Sequence, residues 1–306
     1  MQRRLSDYLI ITLKGLAMGA ADAIPGISGG TIAFISGIYE ELINTISNIK
    51  PSLFRTLFKD GIAAFWKEAN GNFVLALLSG IIVSYISFMK LAKYLLEYHP
   101  ILIWAFFFGL IVASIYFVGK QITKWDLPTI IGLIIGTCIA FYISILPVMA
   151  SNDNSLFLFF AGAIAICAMI LPGISGSFIL IVLGSYKTLS DAIHDFDINK
   201  LLIFIAGCVV GLLSFSHALK WLFKNYHNIT LALLTGFIFG SLNKVWPWKE
   251  TITWFTNSDG TKEPLLQESV SPLSFNGDSQ LLFASILMII GFLSIFILEK
   301  IGSKKQ

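Results

Sequence analysis

Proline, serine and glycine crowd together twice in an otherwise apolar chain, as Pro25-Gly26-Ile27-Ser28-Gly29-Gly30-Thr31 and as Pro172-Gly173-Ile174-Ser175-Gly176-Ser177. Residues of these types open a helix and release backbone N–H and C=O groups, which survive in hydrocarbon only where protein or a polar cavity satisfies them. Ser28 is placed to cap a half-helix starting near Gly29. The missing side chains let a ligand approach the amides, and a helix start with free N–H groups and a positive dipole end suits an anion. The candidate binding residues are therefore Pro25, Gly26, Ser28, Gly29, Gly30 and Thr31, with Pro172, Gly173, Ser175, Gly176 and Ser177 in the second copy. One copy alone would read more simply as a close-packed helix seam. Two copies favour a pair of half-helix tips meeting around one site near the membrane midplane.

Ionisable residues stand near these breaks. Asp22 precedes the first motif, where the second copy has Met169. A carboxylate at membrane depth is costly, so a functional role comes first: it could carry a coupling proton or cation, its protonation relieving repulsion against an anion. The alternative is a carboxylate bonded to the motif amides. Lys93 and Lys220 occupy matching positions and could each draw an anionic headgroup from one face, with snorkelling as the plain alternative. Lys90 and His217 neighbour them. Cys138, Cys167 and Cys208 sit singly in apolar runs and offer neither metal-ligand spacing nor a disulfide framework. No metal, cofactor or nucleic-acid partner is expected.

The elements that must hold these residues are membrane helices. The chain is 56% hydrophobic and 13% charged, with a mean hydropathy of +0.80, which excludes a soluble 306-residue enzyme. The predicted fold is an all-α polytopic membrane protein of two inverted-topology repeats, each an interrupted, re-entrant helical hairpin followed by three transmembrane helices. Repeat 1 spans residues 1–149, with its hairpin at 9–46, an amphipathic interfacial segment at 51–68, and spans near 73–96, 101–119 and 128–147. Repeat 2 spans 150–306, with its hairpin at 156–189, spans near 201–223, 229–246 and 281–298, and an outer loop at 247–280. The duplication is visible directly: residues 24–46 match 171–193 at 10 of 23 positions, and 80–118 match 207–245 at 11 of 39, Lys93 with Lys220 included.

Three crossings per repeat make the second copy inverted. With both termini cytoplasmic, twelve basic residues fall inside and five outside, satisfying the positive-inside rule. The Arg3-Arg4 start resembles a signal peptide, but the motif that follows recurs internally, as a discarded leader would not.

The stretch from Gly15 to Ile43, together with Leu171 to Tyr186, resembles the polyprenyl-phosphate transporter family, and the likeness extends from about Lys14 to Leu298. That resemblance implies a flippase that returns undecaprenyl phosphate across the bacterial plasma membrane for envelope synthesis, by alternating access, and it marks Glu40, which matches the family's acidic position, as a second ion-coupling residue beside Asp22, with a solvent-exposed carboxylate as the alternative. The partners implied are the polyprenyl phosphate lipid, the surrounding bilayer and a coupling proton or sodium. A small-anion carrier or channel is the competing function. An intramembrane lipid phosphatase is weaker, because Gly29 and Gly176 stand where an arginine would be needed to clamp the phosphate.

Overall fold

The computed structural model describes residues 3–24, 28–149, 152, 154–256 and 262–303. The first hairpin is helix α1 (Leu5–Asp22), a break, the seven-residue α2 (Gly29–Ile35) and α3 (Tyr39–Ser47). The second runs in the same order as α8 (Ser155–Ile170), a break, the seven-residue α9 (Gly176–Val182) and α10 (Ser185–His194). Between and after them lie α4 (Pro51–Glu68), α5 (Gly71–Tyr98), α6 (Pro100–Gly119), α7 (Leu127–Ser144), α11 (Ile198–Asn225), α12 (His227–Gly240) and α13 (Leu281–Ser303). Among the described residues, five helical segments are long and apolar enough to cross a membrane: α5, α6, α7, α11, and α12 with the short 3-10 turn Ser241–Val245 that extends it. The chain is a multi-pass membrane protein. Each segment coincides with a predicted span, because uncharged runs of this length cannot stay helical and dry except in lipid or a large core.

Glycine sets which helices pair. The closest packing joins α1 to α5, α8 to α11, α6 to α13 and α7 to α12. The third long helix of each half thus lies against the second long helix of the other, which interlocks the halves. At each seam a glycine backbone touches a neighbouring carbonyl: a Cβ on Gly80 would collide with the Thr12 oxygen, on Gly207 with Phe159, on Gly109 with Met288 and on Gly236 with Leu133. These are two sequence-matched pairs, Gly80/Gly207 and Gly109/Gly236, used alike in both halves. Lipid offers no hydrophobic drive to associate, so small residues that admit close backbone contact decide the partners. Gly80→Leu is expected to destabilise the protein by about 1–3 kcal/mol through overpacking of α1 against α5. The lowered thermal midpoint of purified protein in detergent measures it.

Two stretches outside the helical core take shapes the sequence did not specify. The 51–68 segment is helical and amphipathic, with Leu53 buried and Phe58 and Ile62 at 85% and 75% exposure. It is not one straight rod. Gly61 takes φ 84°, a left-handed conformation that kinks it into two. The 247–280 loop contains a two-stranded antiparallel ribbon, β1 (Lys249–Thr256) and β2 (Lys262–Ser269), the one sheet among the described residues. Trp246 and Trp248 pin this loop, donating their indole N–H groups to Val270 O and Ser279 O, both at 2.8 Å. Trp248 is buried beside Ile101, Ala105 and Ala284.

Candidate functional site

The two breaks meet. Ser28 caps α2, its Oγ accepting from the Gly30 N–H at 3.1 Å, and the same hydroxyl donates across to the Met169 carbonyl of the second break at 3.0 Å. In return Thr31 Oγ1 accepts from the Gly173 N–H at 2.8 Å. Both hydroxyls are buried. Gly30 must lack a side chain, because a Cβ there would lie 2.5 Å from the Ile170 carbonyl oxygen. Gly173 needs the same freedom for a second reason: its φ is +86°, which swings the chain back past Phe237 and Ser241. The opened backbone of each break is thus partly satisfied by the other, as buried polar groups in lipid demand.

At the first tip a carboxyl group of the protein itself stands at the helix start. Asp22 Oδ1 accepts from the Gly29 N–H at 2.6 Å, so the first half-helix carries the protein's own carboxylate where an external anion would sit. At the other end of α2 the Lys14 ammonium donates to the Ser36 carbonyl at 2.6 Å, complementing the negative end of the short helix.

The second tip differs. Ser175 makes no cap bond to α9; its Oγ pairs with Ser177 Oγ at 2.8 Å. No carboxylate replaces Asp22, since Met169 stands there. Instead the break opens on a narrow cleft lined by Ser144, Gly173, Ser175, Phe178, Ser241 and Lys244. The Lys244 ammonium lies 4.0 Å from the centre of the Phe178 ring, and Lys249 Nζ donates to the Lys244 carbonyl.

The other predicted residues fall elsewhere. Pro25 and Gly26 lie outside the described residues. Pro172 is buried in the second break, and Gly176 packs against the Ala165 carbonyl. Lys220 donates to Asn48 Oδ1 at 3.0 Å, joining α11 to the C-terminal end of α3, while Lys93 is exposed on α5. Glu40 is not at the breaks: its half-exposed carboxylate accepts from His227 Nε2 at 3.0 Å. Glu41, beside it, takes a bidentate Arg3 fork at 2.6 Å per bond and a bond from Asn70. Burial works to raise the Glu41 carboxyl, but Arg3 and Asn70 outweigh it and hold it below its ordinary range. Lys220–Asn48 and His227–Glu40 therefore join α3 to α11 and to the start of α12, while Arg3–Glu41 ties the start of α1 to α3.

Known proteins share this sequence. The family described as undecaprenyl phosphate translocase-like matches residues 18–263, and a Vibrio cholerae O1 protein named polyprenyl-phosphate transporter is 46% identical over 99% of this chain and 100% of its own length. The chain belongs to that family. A Staphylococcus aureus protein of the same name is 32% identical over 80% of the chain and 89% of its own length. Relatives are thus named as transporters, not enzymes, and no solved structure matches.

Family membership covers both breaks, yet the residue that most changes the second one was not singled out from sequence. Lys244 counts there only as one of the five outer basic residues, at the end of the 229–246 span. The available signal was its alignment with Phe117: a cation where the other half has a ring, in a segment that aligns without gaps.

Proposed function

We propose that the chain flips polyprenyl phosphate across the bacterial plasma membrane, by alternating access of the lipid headgroup to the paired breaks. One observation carries this: the halves repeat in sequence but are not closed alike. The C-terminal cap of α3, Asn48, holds Lys220 of α11. The corresponding residues are the C-terminal cap of α10, Asp195, and Lys93 of α5, and these are exposed, with no bond between them among the described residues. Helix α3 packs along α11, and α10 has no comparable seat on α5.

Two inverted repeats holding two different arrangements are what a transporter closed on one side requires; exchanging the arrangements opens the other side. With the termini cytoplasmic, the Lys220–Asn48 side is the inner one, and the cleft at Ser175 and Lys244 faces outward. Each hairpin then re-enters from its own face. Only the headgroup needs a polar route, since the isoprenoid tail stays in lipid beside the exposed apolar faces of α5 and α11. Asp22 is the natural coupling group: as a carboxylate it fills the first tip, and on protonation it weakens its hold on Gly29 and frees that amide for the phosphate.

Reconstituted protein tests this. Leaflet-resolved measurement of undecaprenyl phosphate in proteoliposomes, under imposed proton and sodium gradients, is expected to show protein-dependent movement between leaflets that responds to one gradient. Folded protein that moves no lipid would contradict it, and flux of inorganic phosphate without lipid movement would replace it with a small-anion carrier.

A further inference from the structure

Lys244 lines the cleft at the second break, and Lys249 reaches the Lys244 backbone. Lys244, at the end of the 3-10 turn after α12, projects over Phe178 of α9, and Lys249, at the start of β1, lies 4.0 Å from the centre of the Trp104 ring and donates to the Lys244 carbonyl. Neither lysine belongs to the ion pairs seen among the described residues, Arg3–Glu41, Lys200–Asp197 and His227–Glu40. Burial first, and the charge of Lys244 second, push the Lys249 ammonium well below its usual range. Aromatic rings supply only part of what an ammonium loses on leaving water, and two adjacent cations repel.

The surroundings say which anion. Ser175 and its partner Ser177 place hydroxyls at the break, while the Ser144 and Ser241 hydroxyls in the cleft donate to the Phe141 and Ile238 carbonyls. The tryptophans at 246 and 248 fix the loop that carries Lys249, so the second cation is held in place by its own built anchor. We propose that Lys244 and Lys249, with Ser175, form the outer-face docking site for a phosphate monoester, selecting it over the phosphodiesters of the surrounding bilayer. A monoester carries close to two negative charges and three free oxygens, enough for both ammonium groups and a hydroxyl. A phosphodiester has one charge and two blocked oxygens, and leaves one lysine uncompensated. This inference rests on the transport reading for the source of the monoester, and the 247–280 loop acquires a role as the support of Lys249.

The test uses full-length protein in nanodiscs and farnesyl phosphate as a short lipid probe, with farnesol, inorganic phosphate and phosphatidylglycerol as comparisons. Farnesyl phosphate is expected to bind and to protect Lys244 and Lys249 of the wild type from an amine-acylating reagent, read by mass spectrometry. Farnesol and phosphatidylglycerol should not. Lys244→Met and Lys249→Met should each weaken binding by about tenfold or more, as removal of one member of a desolvated charge pair does, while Lys244→Arg retains most of it and Lys200→Met changes nothing. Binding without protection, or unchanged binding in a folded Lys244→Met protein, overturns this site and leaves transport standing. Protection by inorganic phosphate as strong as by farnesyl phosphate would assign the site to the free anion. A wild type that binds no farnesyl phosphate would overturn the transport reading itself.

Discussion

Joining Asn48→Cys to Lys220→Cys with a short bifunctional thiol reagent is expected to reduce lipid movement to the protein-free background, and reductive release of the link to restore it. The background would have Cys138, Cys167 and Cys208 replaced by alanine. A linker is needed because the native contact is made through the long lysine arm, which places the backbones too far apart for a direct disulfide. The stronger half of the prediction concerns residues that do not touch here. If the halves exchange arrangements, Lys93→Cys and Asp195→Cys come together when the outer side closes, at the geometry that Lys220 and Asn48 hold now. The same linker should therefore capture them during turnover and stop transport again. Failure to cross-link in active protein would remove the exchange of arrangements, because each pair is the counterpart of the other under the sequence repeat.

Asp22→Asn should abolish transport while leaving the fold nearly intact. The asparagine keeps an oxygen for the Gly29 N–H but can neither take nor release a proton, and replacing a charged acceptor by a neutral one costs about 1 kcal/mol. Asp22→Ala should be less stable as well as inactive, since the Gly29 amide then has no acceptor, at a cost of about 1–3 kcal/mol. Transport and thermal midpoint measured together separate the outcomes. An Asp22→Asn protein that moves lipid normally would reduce Asp22 to a helix-capping group. A protein that loses stability and transport in step would do the same.

The helices were legible because apolar length and glycine spacing are properties of sequence that lipid turns directly into structure. Ser28 as the cap of α2 was legible for the same kind of reason, since a cap is a contact between neighbours in the chain. What bound Ser28 to Met169, or Thr31 to Gly173, was not, because those contacts join residues more than 140 positions apart. Asp22 shows how two readings converge: the bond to Gly29 is the helix-end contact weighed from sequence, and it is also what puts the carboxylate where a headgroup would bind. Lys244 was hidden at the outer end of a predicted span, 229–246. Only the fold of 246–280, with its tryptophan anchors and unforeseen β ribbon, brings Lys249 to its backbone.

The central claim is that the paired breaks form one headgroup site reached from opposite faces in turn. Labelling of Ser175→Cys by a membrane-impermeant thiol reagent, in proteoliposomes of uniform orientation, tests it most directly. With Asn48→Cys linked to Lys220→Cys the residue should react from the outer face and be protected by farnesyl phosphate; with Lys93→Cys linked to Asp195→Cys it should be closed to that face. Equal reactivity from the outer face in both locked forms would contradict the claim.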